Sequence, residues 1–529
     1  MRLPFPRKIR KPSVLLLLGL LVGFHPVLRH GLPRSSEAWS HLENLRRIPS
    51  GWDALKFGKM LELFENRQHY TKYPLFYVMG KLLRIDSPFK AAAFSAAVFA
   101  LLPLLMFFLA GSVLQEQEAF AAGLAVAVTS AFVYTMNFFS GGEPLAVALL
   151  LAGLVLHLRR GPIFSLPIYA AIVFLHPFTS LFLWALLLVM PFFLKPDSKR
   201  RLIEQCICTG IFSSTFLGWI VLQISRGLPL GDYILSSLKE WVLLTAFVCL
   251  TGGSLAVQAM GVRFDQVGRL FDFVSCMMRL HLRTLILVLE LGFLGLFVCS
   301  GVPGTEQVVQ PATALFYLPL LAAIGMVLLR RREVEPFSVT FVASGIGLFM
   351  AGTLIVPRAI PAYRLAPYGA MGLSLLLGPC VAHPKGRLVL PMVLAALAAT
   401  TYPGPSFYFG FDEQYYPAEM AAVSRIPDLT AKACVLSDVR VEDLLRYETG
   451  LSAKTAAGEL LEVDIGCVVL LNNQMRKHGF YPPGHEWFRR PFKLDVMGLE
   501  KGSTTIYDNG WAQILVVTEN GVSLGLVSR

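Results

Sequence analysis

From residue 13 to residue 402 the chain alternates apolar runs with short polar connections. Most of the runs are long enough, as helices, to cross a hydrocarbon layer of ~30 Å. They fall at 13–29, 89–111, 118–137, 143–157, 162–176, 178–194, 202–224, 241–260, 282–300, 311–329, 336–356, 366–382 and 387–402. This pattern predicts a polytopic α-helical membrane protein of about 13 transmembrane helices. The runs at 143–157 and 162–176 are short, as tilted or partly re-entrant segments are.

Beyond residue 402 polar and apolar positions mix on a finer scale. A helical stretch to Arg425 follows Asp412-Glu413-Gln414-Tyr415-Tyr416-Pro417. Ala433–Leu436 and Cys467–Leu471 read as strands, and Val441–Tyr447 reads as a helix ending near Gly450. Thr504–Tyr507 and Ala512–Val517 form a hairpin around Asn509-Gly510, a strong turn signal. The chain divides into a membrane domain, 1–402, and a small C-terminal α/β domain, 403–529, without tandem repeats or low-complexity tracts.

Charge sets the orientation. The amino end carries Arg2, Arg7, Lys8, Arg10 and Lys11, and no small-residue cleavage site follows the first run, which is therefore a retained span with its amino end in the cytoplasm. Alternation then turns His157 to Arg160, Lys195 to Arg201, Arg263 to Arg283, Arg330 to Arg332 and His383 to Arg387 toward the cytoplasm. All five connections are basic, as the positive-inside rule requires; Gln115 to Glu118 departs from it. The long first loop, 30–88, and the C-terminal domain fall outside, most simply at the cell membrane.

Composition agrees. Hydrophobic residues make up 55% of the 529, charged residues 16%, and mean hydropathy is +0.58, which excludes a soluble globular protein. The net charge of +12 sits in the short topogenic clusters, so no nucleic-acid partner is expected. Of the eight cysteines none forms a CxxC pair; Cys206 and Cys208 lie in an apolar run, and Cys434 and Cys467 are either bridged or two buried strand residues.

Polar residue types collect on the outer side. The first loop holds Glu37, Asp53, Glu62, Glu65, His69, Tyr70 and Lys72-Tyr73-Pro74-Leu75-Phe76-Tyr77; later connections add Asn137, Glu143, His176-Pro177, Arg226, Asp232, Arg358, Tyr363 and Arg364. Arg358 and Arg364 at a membrane edge are suited to fork onto phosphate oxygens, or they snorkel. Asp53 either accepts a proton from an acceptor or caps the helix that follows it. Glu143 before Pro144 fits a helix start, and His176 before Pro177 fits a break between spans. Glu290 inside the ninth span is either functional or paired within the bundle.

In order and sidedness these stretches resemble the glycosyltransferase C superfamily of polytopic membrane enzymes, which includes protein O-mannosyltransferases, the aminoarabinose transferase of lipid A and oligosaccharyltransferases. Asp53 followed by Ala54 to Asn66 and Lys72 to Tyr77 resembles the family's acidic first-loop helix and proline-aromatic motif. Ser140 to Leu145, His176-Pro177 and Tyr363-Arg364-Leu365-Ala366-Pro367 are similar to later family stretches. The family's carboxylate usually follows the first span closely; Glu37 is nearer to it, whereas Asp53 has the better spacing to Pro74. The resemblance implies an inverting transfer of sugar from a polyprenyl-phosphate-linked donor to a protein, lipid or glycan acceptor. Asp53 or Glu37 would be the catalytic carboxylate, and Lys72, Tyr73, Glu143, His176, Arg358, Tyr363 and Arg364 would bind substrate. No cofactor is implied; oligosaccharyltransferase-like members use a divalent metal, mannosyltransferase-like members do not, and the sequence shows no metal site. The rival classes are a lipid flippase or secondary transporter, and a non-catalytic cell-envelope scaffold.

Overall fold

The structure is a computed structural model. It describes residues 10–33, 36–48, 73–129, 142–194, 198–225, 239–263, 366–378, 415–429, 434–451, 453–455, 464–478 and 496–519, together with 133, 136, 337, 340, 341, 344, 391, 394 and 395. The predicted spans 282–300 and 311–329, most of 336–356 and 387–402, and Glu290, lie outside the described residues.

The N-terminal part is a bundle of helices: α1 (Arg10–His30), α2 (Ser36–Arg47), α3 (Pro74–Leu82), α4 (Pro88–Ala110), α5 (Glu116–Val128), α6 (Glu143–Arg159), α7 (Pro162–Leu175), α8 (Pro177–Phe193), α9 (Lys199–Ser225), α10 (Lys239–Arg263) and α11 (Ala366–Leu377). Proline stands in the first two positions of α3, α4, α6, α7 and α8, where its missing N–H would have no partner within the helix anyway. Among the described residues, 88–110 and 199–223 are long and apolar enough to span a membrane. Shorter apolar helices occupy 11–25, 162–175, 177–191, 247–257 and 367–377.

Two packing features fit a lipid setting. On α1, Val14, Leu17, Leu21 and Leu28 form an exposed apolar stripe, Leu21 at 63% and Leu28 at 83%; on α9, Ile203, Ile207 and Ile211 repeat at one-turn spacing, all exposed. Water would make such stripes costly. Where α1 crosses α4, Gly19 and Gly23 lie against the Ala100 and Ala96 carbonyls, and an added Cβ would come within 2.6 Å and 2.8 Å of those oxygens. Small residues four apart let the two backbones meet, as in lipid-embedded helix pairs.

The bundle has two chemically distinct ends. One holds Lys11 paired with Glu116 at 3.3 Å, Arg159 donating to Ser112 Oγ and the Phe108 carbonyl, and Arg200 paired with Glu204. The other holds the first turns of α3, α6, α8 and α11, with α2 and the C-terminal part beside them.

The C-terminal part contains α12 (Pro417–Val423), α13 (Ile426–Leu429), β1 (Val435–Ser437), α14 (Val439–Thr449), β2 (Ala453–Thr455), β3 (Val468–Asn472), α15 (Asn473–His478), α16 (Val496–Lys501), β4 (Ser503–Asp508) and β5 (Ala512–Val517). The sheet order is β2-β1-β3-β5-β4: β1 pairs parallel to β2 and β3, and β5 pairs antiparallel to β3 and β4. Every residue of β3 is buried, as its central place in the order requires. The expected hairpin forms about Asn509-Gly510, with Gly510 at φ +79° and the Asp508 and Asn509 side chains accepting from Gly510, Trp511 and Ala512 N–H groups. Cys434 and Cys467 are joined by a disulfide across the start of the β1–β3 pair, their Cα atoms 4.7 Å apart.

Helix α2, not expected from the apolar pattern, joins the two parts. Trp39 lies between Tyr415 and Tyr447, each ring centroid 5.3 Å away. The Arg46 guanidinium carbon stands 3.6 Å over the Tyr447 ring, and Nη1 donates to the Tyr447 carbonyl at 3.2 Å.

Candidate functional site

Three of the sequence-predicted residues meet at the end of the bundle opposite the basic connections. Tyr73 is the residue before α3, Glu143 opens α6, and His176 lies between α7 and α8. The Tyr73 ring stacks on the His176 ring at 5.8 Å with 13° between planes. His176 Nε2 lies 3.7 Å from Glu143 Oε2, and both residues are buried.

Local sequence explains each position. Pro177 cannot donate a helical N–H, so α7 stops at Leu175 and His176 takes an extended φ of −157° as the N-cap of α8. Its Nδ1 accepts the Thr179 backbone N–H at 3.3 Å. An Nδ1 that accepts leaves the proton of a neutral imidazole on Nε2, the nitrogen facing Glu143. The Thr179 hydroxyl, 2.9 Å from Nδ1, then donates to it and accepts from the Tyr368 hydroxyl at 2.7 Å. The chain Tyr368–Thr179–His176 thus ties α11 to α8 and fixes which way the imidazole points.

Glu143 owes its place to Gly142, which turns the chain at φ +87° and leaves no room for a side chain. A Cβ there would lie 3.0 Å from the Leu175 carbonyl oxygen and 3.1 Å from Phe76 Cβ. The turn therefore packs between α3 and the end of α7.

Behind Tyr73 lies a second polar group. Asn44 Nδ2 donates to the Tyr77 hydroxyl at 3.3 Å, and that hydroxyl is hydrogen-bonded to His41 Nδ1 at 2.6 Å. The His41 ring meets Tyr73 and Phe76 edge-on, with centroids 5.7 Å and 5.5 Å away.

Among the other predicted residues, Glu37 is the second residue of α2. Asp53, Lys72, Arg358, Tyr363 and Arg364 lie outside the described residues, although α11 begins two residues after Arg364. His41, Asn44, Thr179 and Tyr368 were missed. Thr179 could have been found as the third residue after a capping His176, and Tyr368 as the aromatic following Ala366-Pro367. Among the described residues no three of His, Cys, Asp and Glu gather as metal ligands do.

No family model and no curated protein sequence matches the chain. Solved structures do. The oligosaccharyltransferase of Archaeoglobus fulgidus in its apo form superposes with a TM-score of 0.51 at 12% identity, over 83% of this chain and 64% of that one. The chain has the oligosaccharyltransferase fold. At 12% identity the likeness is one of fold. The archaeal oligosaccharyltransferase AglB from the same organism, in complex with an inhibitory peptide and a dolichol-phosphate, matches with a TM-score of 0.49 at 11% identity over 84% of this chain and 64% of that one. ArnT from Cupriavidus metallidurans bound to undecaprenyl phosphate matches over 98% of this chain and 99% of that one, with a TM-score of 0.38 at 11% identity. The chain thus spans about 64% of the length of the oligosaccharyltransferases it matches.

Proposed function

We propose that the protein is a membrane glycosyltransferase that moves a sugar from a polyprenyl-phosphate-linked donor to a protein, lipid or glycan acceptor on the outer face. The observation that carries this reading is the convergence of Tyr73, Glu143 and His176 from three separate stretches, at the non-basic end of a bundle with an oligosaccharyltransferase fold. Their side chains are buried, so they line the site by polar placement in a water-poor setting, where each polar contact counts for more. The membrane unit of this proposal is 1–402 and the outer α/β unit 403–529, with the amino end in the cytoplasm.

In the proposed reaction an acceptor hydroxyl or amide nitrogen attacks the anomeric carbon as the bond from that carbon to the donor phosphate oxygen breaks. The configuration inverts in this one displacement, the bonding pair leaves with the lipid phosphate, and a carboxylate takes the acceptor's proton. Asp53 or Glu37 is that carboxylate. Support for Glu37 comes from α2, a first-loop helix that begins at Ser36, close behind α1, where the family's acidic helix usually lies. Arg358 and Arg364 hold the leaving phosphate, and Lys72, Tyr73, Glu143, His176 and Tyr363 line the cavity. The bond from Thr179 to Tyr368 supports Arg364, because it holds the first turn of α11, a few residues further on, beside His176. Metal is assigned no step in this scheme.

The test is transfer of labelled sugar from polyprenyl-phosphate donors by purified protein, native against Asp53→Asn and Glu37→Gln. Loss of transfer in one variant with donor binding retained establishes the enzyme and its carboxylate. Binding of phosphate lipid with no transfer from any donor sinks the reading in favour of a flippase or scaffold.

A further inference from the structure

Helix α2 is polar in sequence, yet every residue from Ala38 to Leu45 is buried, including Ser40, His41, Glu43 and Asn44. It has two working faces. Trp39 and Arg46 meet the C-terminal part at Tyr415 and Tyr447. His41, Asn44 and Leu45 meet α3; Leu45 fills the space a side chain at Gly80 would need, its Cδ2 2.7 Å from where that Cβ would lie.

The second face bears on the candidate site through two rings. His41 touches Tyr73, whose ring stacks on His176, and it touches Phe76, whose Cβ closes over Gly142 next to Glu143. One imidazole therefore braces both members of the His176–Glu143 pair, each through a different aromatic side chain. An apolar residue would fill the same space but would not fix the orientation. Tyr77 does that, because its hydroxyl, which takes a hydrogen bond from Asn44, is also hydrogen-bonded to His41 Nδ1 and so defines the rotation of the imidazole.

We propose that His41 is a positioning residue for the site, held by Tyr77 and Asn44, which sets the Tyr73 and Phe76 rings and through them the relative placement of His176 and Glu143. Its bearing on catalysis rests on the proposed transferase reading; its bearing on geometry does not.

The test uses the full chain in lipid nanodiscs with His41→Phe, Tyr77→Phe, the double variant and His41→Asn, which keeps a hydrogen-bonding amide near the Nδ1 position. Two readouts are taken. The first is the ring resonance of His176 in histidine-labelled protein, assigned with His176→Gln, which carries the ring-current shift of the stacked Tyr73. The second is kcat and KM for donor. The expected result is a displaced His176 resonance in His41→Phe and in Tyr77→Phe, with kcat lower by about tenfold and KM little changed. The double variant should be no worse than Tyr77→Phe, since both single changes remove the same His41–Tyr77 bond, and His41→Asn should recover part of the loss. An unmoved His176 resonance in both single variants overturns the proposal, as does a moved resonance with native kcat. If the native protein transfers no sugar while the resonance still moves, the positioning role stands and the transferase reading falls.

Discussion

Replacing Gly142 with alanine tests whether the site depends on the turn before α6. The backbone there is at φ +87°, which costs an L-residue about 1–2 kcal/mol. The new Cβ would also stand 3.0 Å from the Leu175 carbonyl oxygen and 3.1 Å from Phe76 Cβ. Neither atom is the end of a flexible side chain, so relief needs a backbone shift of the kind that costs a further ~1–3 kcal/mol. The expected loss is therefore ~2–5 kcal/mol, read as a lower thermal unfolding midpoint in detergent. The shift moves Phe76, Glu143 and the carbonyl just before His176, so transfer should fall even at temperatures where the variant is folded. Gly252→Ala is the control: it lies in α10 with nothing within 4 Å of the added Cβ. Removing a helix glycine there should be neutral or stabilise by up to ~1 kcal/mol. A Gly142→Ala protein that melts and transfers like the native one would refute the packing described for this turn.

Thr179→Val removes the hydroxyl linking Tyr368 to His176 at nearly constant volume; a loss of ~1–3 kcal/mol and reduced transfer are expected, with Thr179→Ser close to native in both assays. Replacing Cys434 and Cys467 together by serine opens a loop of sequence separation 33, which should cost the C-terminal part ~3–4 kcal/mol, measured by denaturant unfolding and by limited proteolysis of that part. The Asp508 carboxyl is held below the usual carboxylate range first by the Gly510 N–H and then by Gln513. A lowered folded pKa stabilises above the unfolded value, and the contribution disappears as pH falls through the folded one. The hairpin should therefore weaken on acidification below about pH 4, and Asp508→Asn should flatten that dependence in a pH series of unfolding midpoints.

The parts of this fold legible in the sequence are those where one physical rule dominates. Apolar length placed the helices α4, α7, α8 and α9, and proline explains why the first three begin where they do. Alternation and the Asn509-Gly510 turn placed β4 and β5. The pair His176 and Glu143 could be suspected because each precedes a proline at a helix start, and the structure brings them to 3.7 Å. What was not legible depends on contacts between distant segments. Strand β2 is three residues long and exists by pairing with β1, and the Thr179–Tyr368 bond joins positions 189 residues apart. No local periodicity carries such information.

Helix α2 shows why polarity in sequence is a poor guide to exposure at such a junction. Ser36 to Arg47 contains serine, glutamate, histidine, asparagine and arginine, a composition that reads as solvated loop. It is buried because two surfaces close on it at once, and three of its polar side chains are matched to particular atoms opposite: Asn44 and His41 to the Tyr77 hydroxyl, Arg46 to the Tyr447 ring and carbonyl. Buried polar groups left without partners would cost ~1–3 kcal/mol each. Matching therefore selects one register of α2 against both neighbours. Sliding it by one residue would strand those groups and remove Trp39 from between Tyr415 and Tyr447. That makes the C-terminal part a constraint on the first loop, and through His41 a constraint on the Tyr73–His176 stack. A change at Trp39, outside any contact with His176, should for this reason be felt at His176.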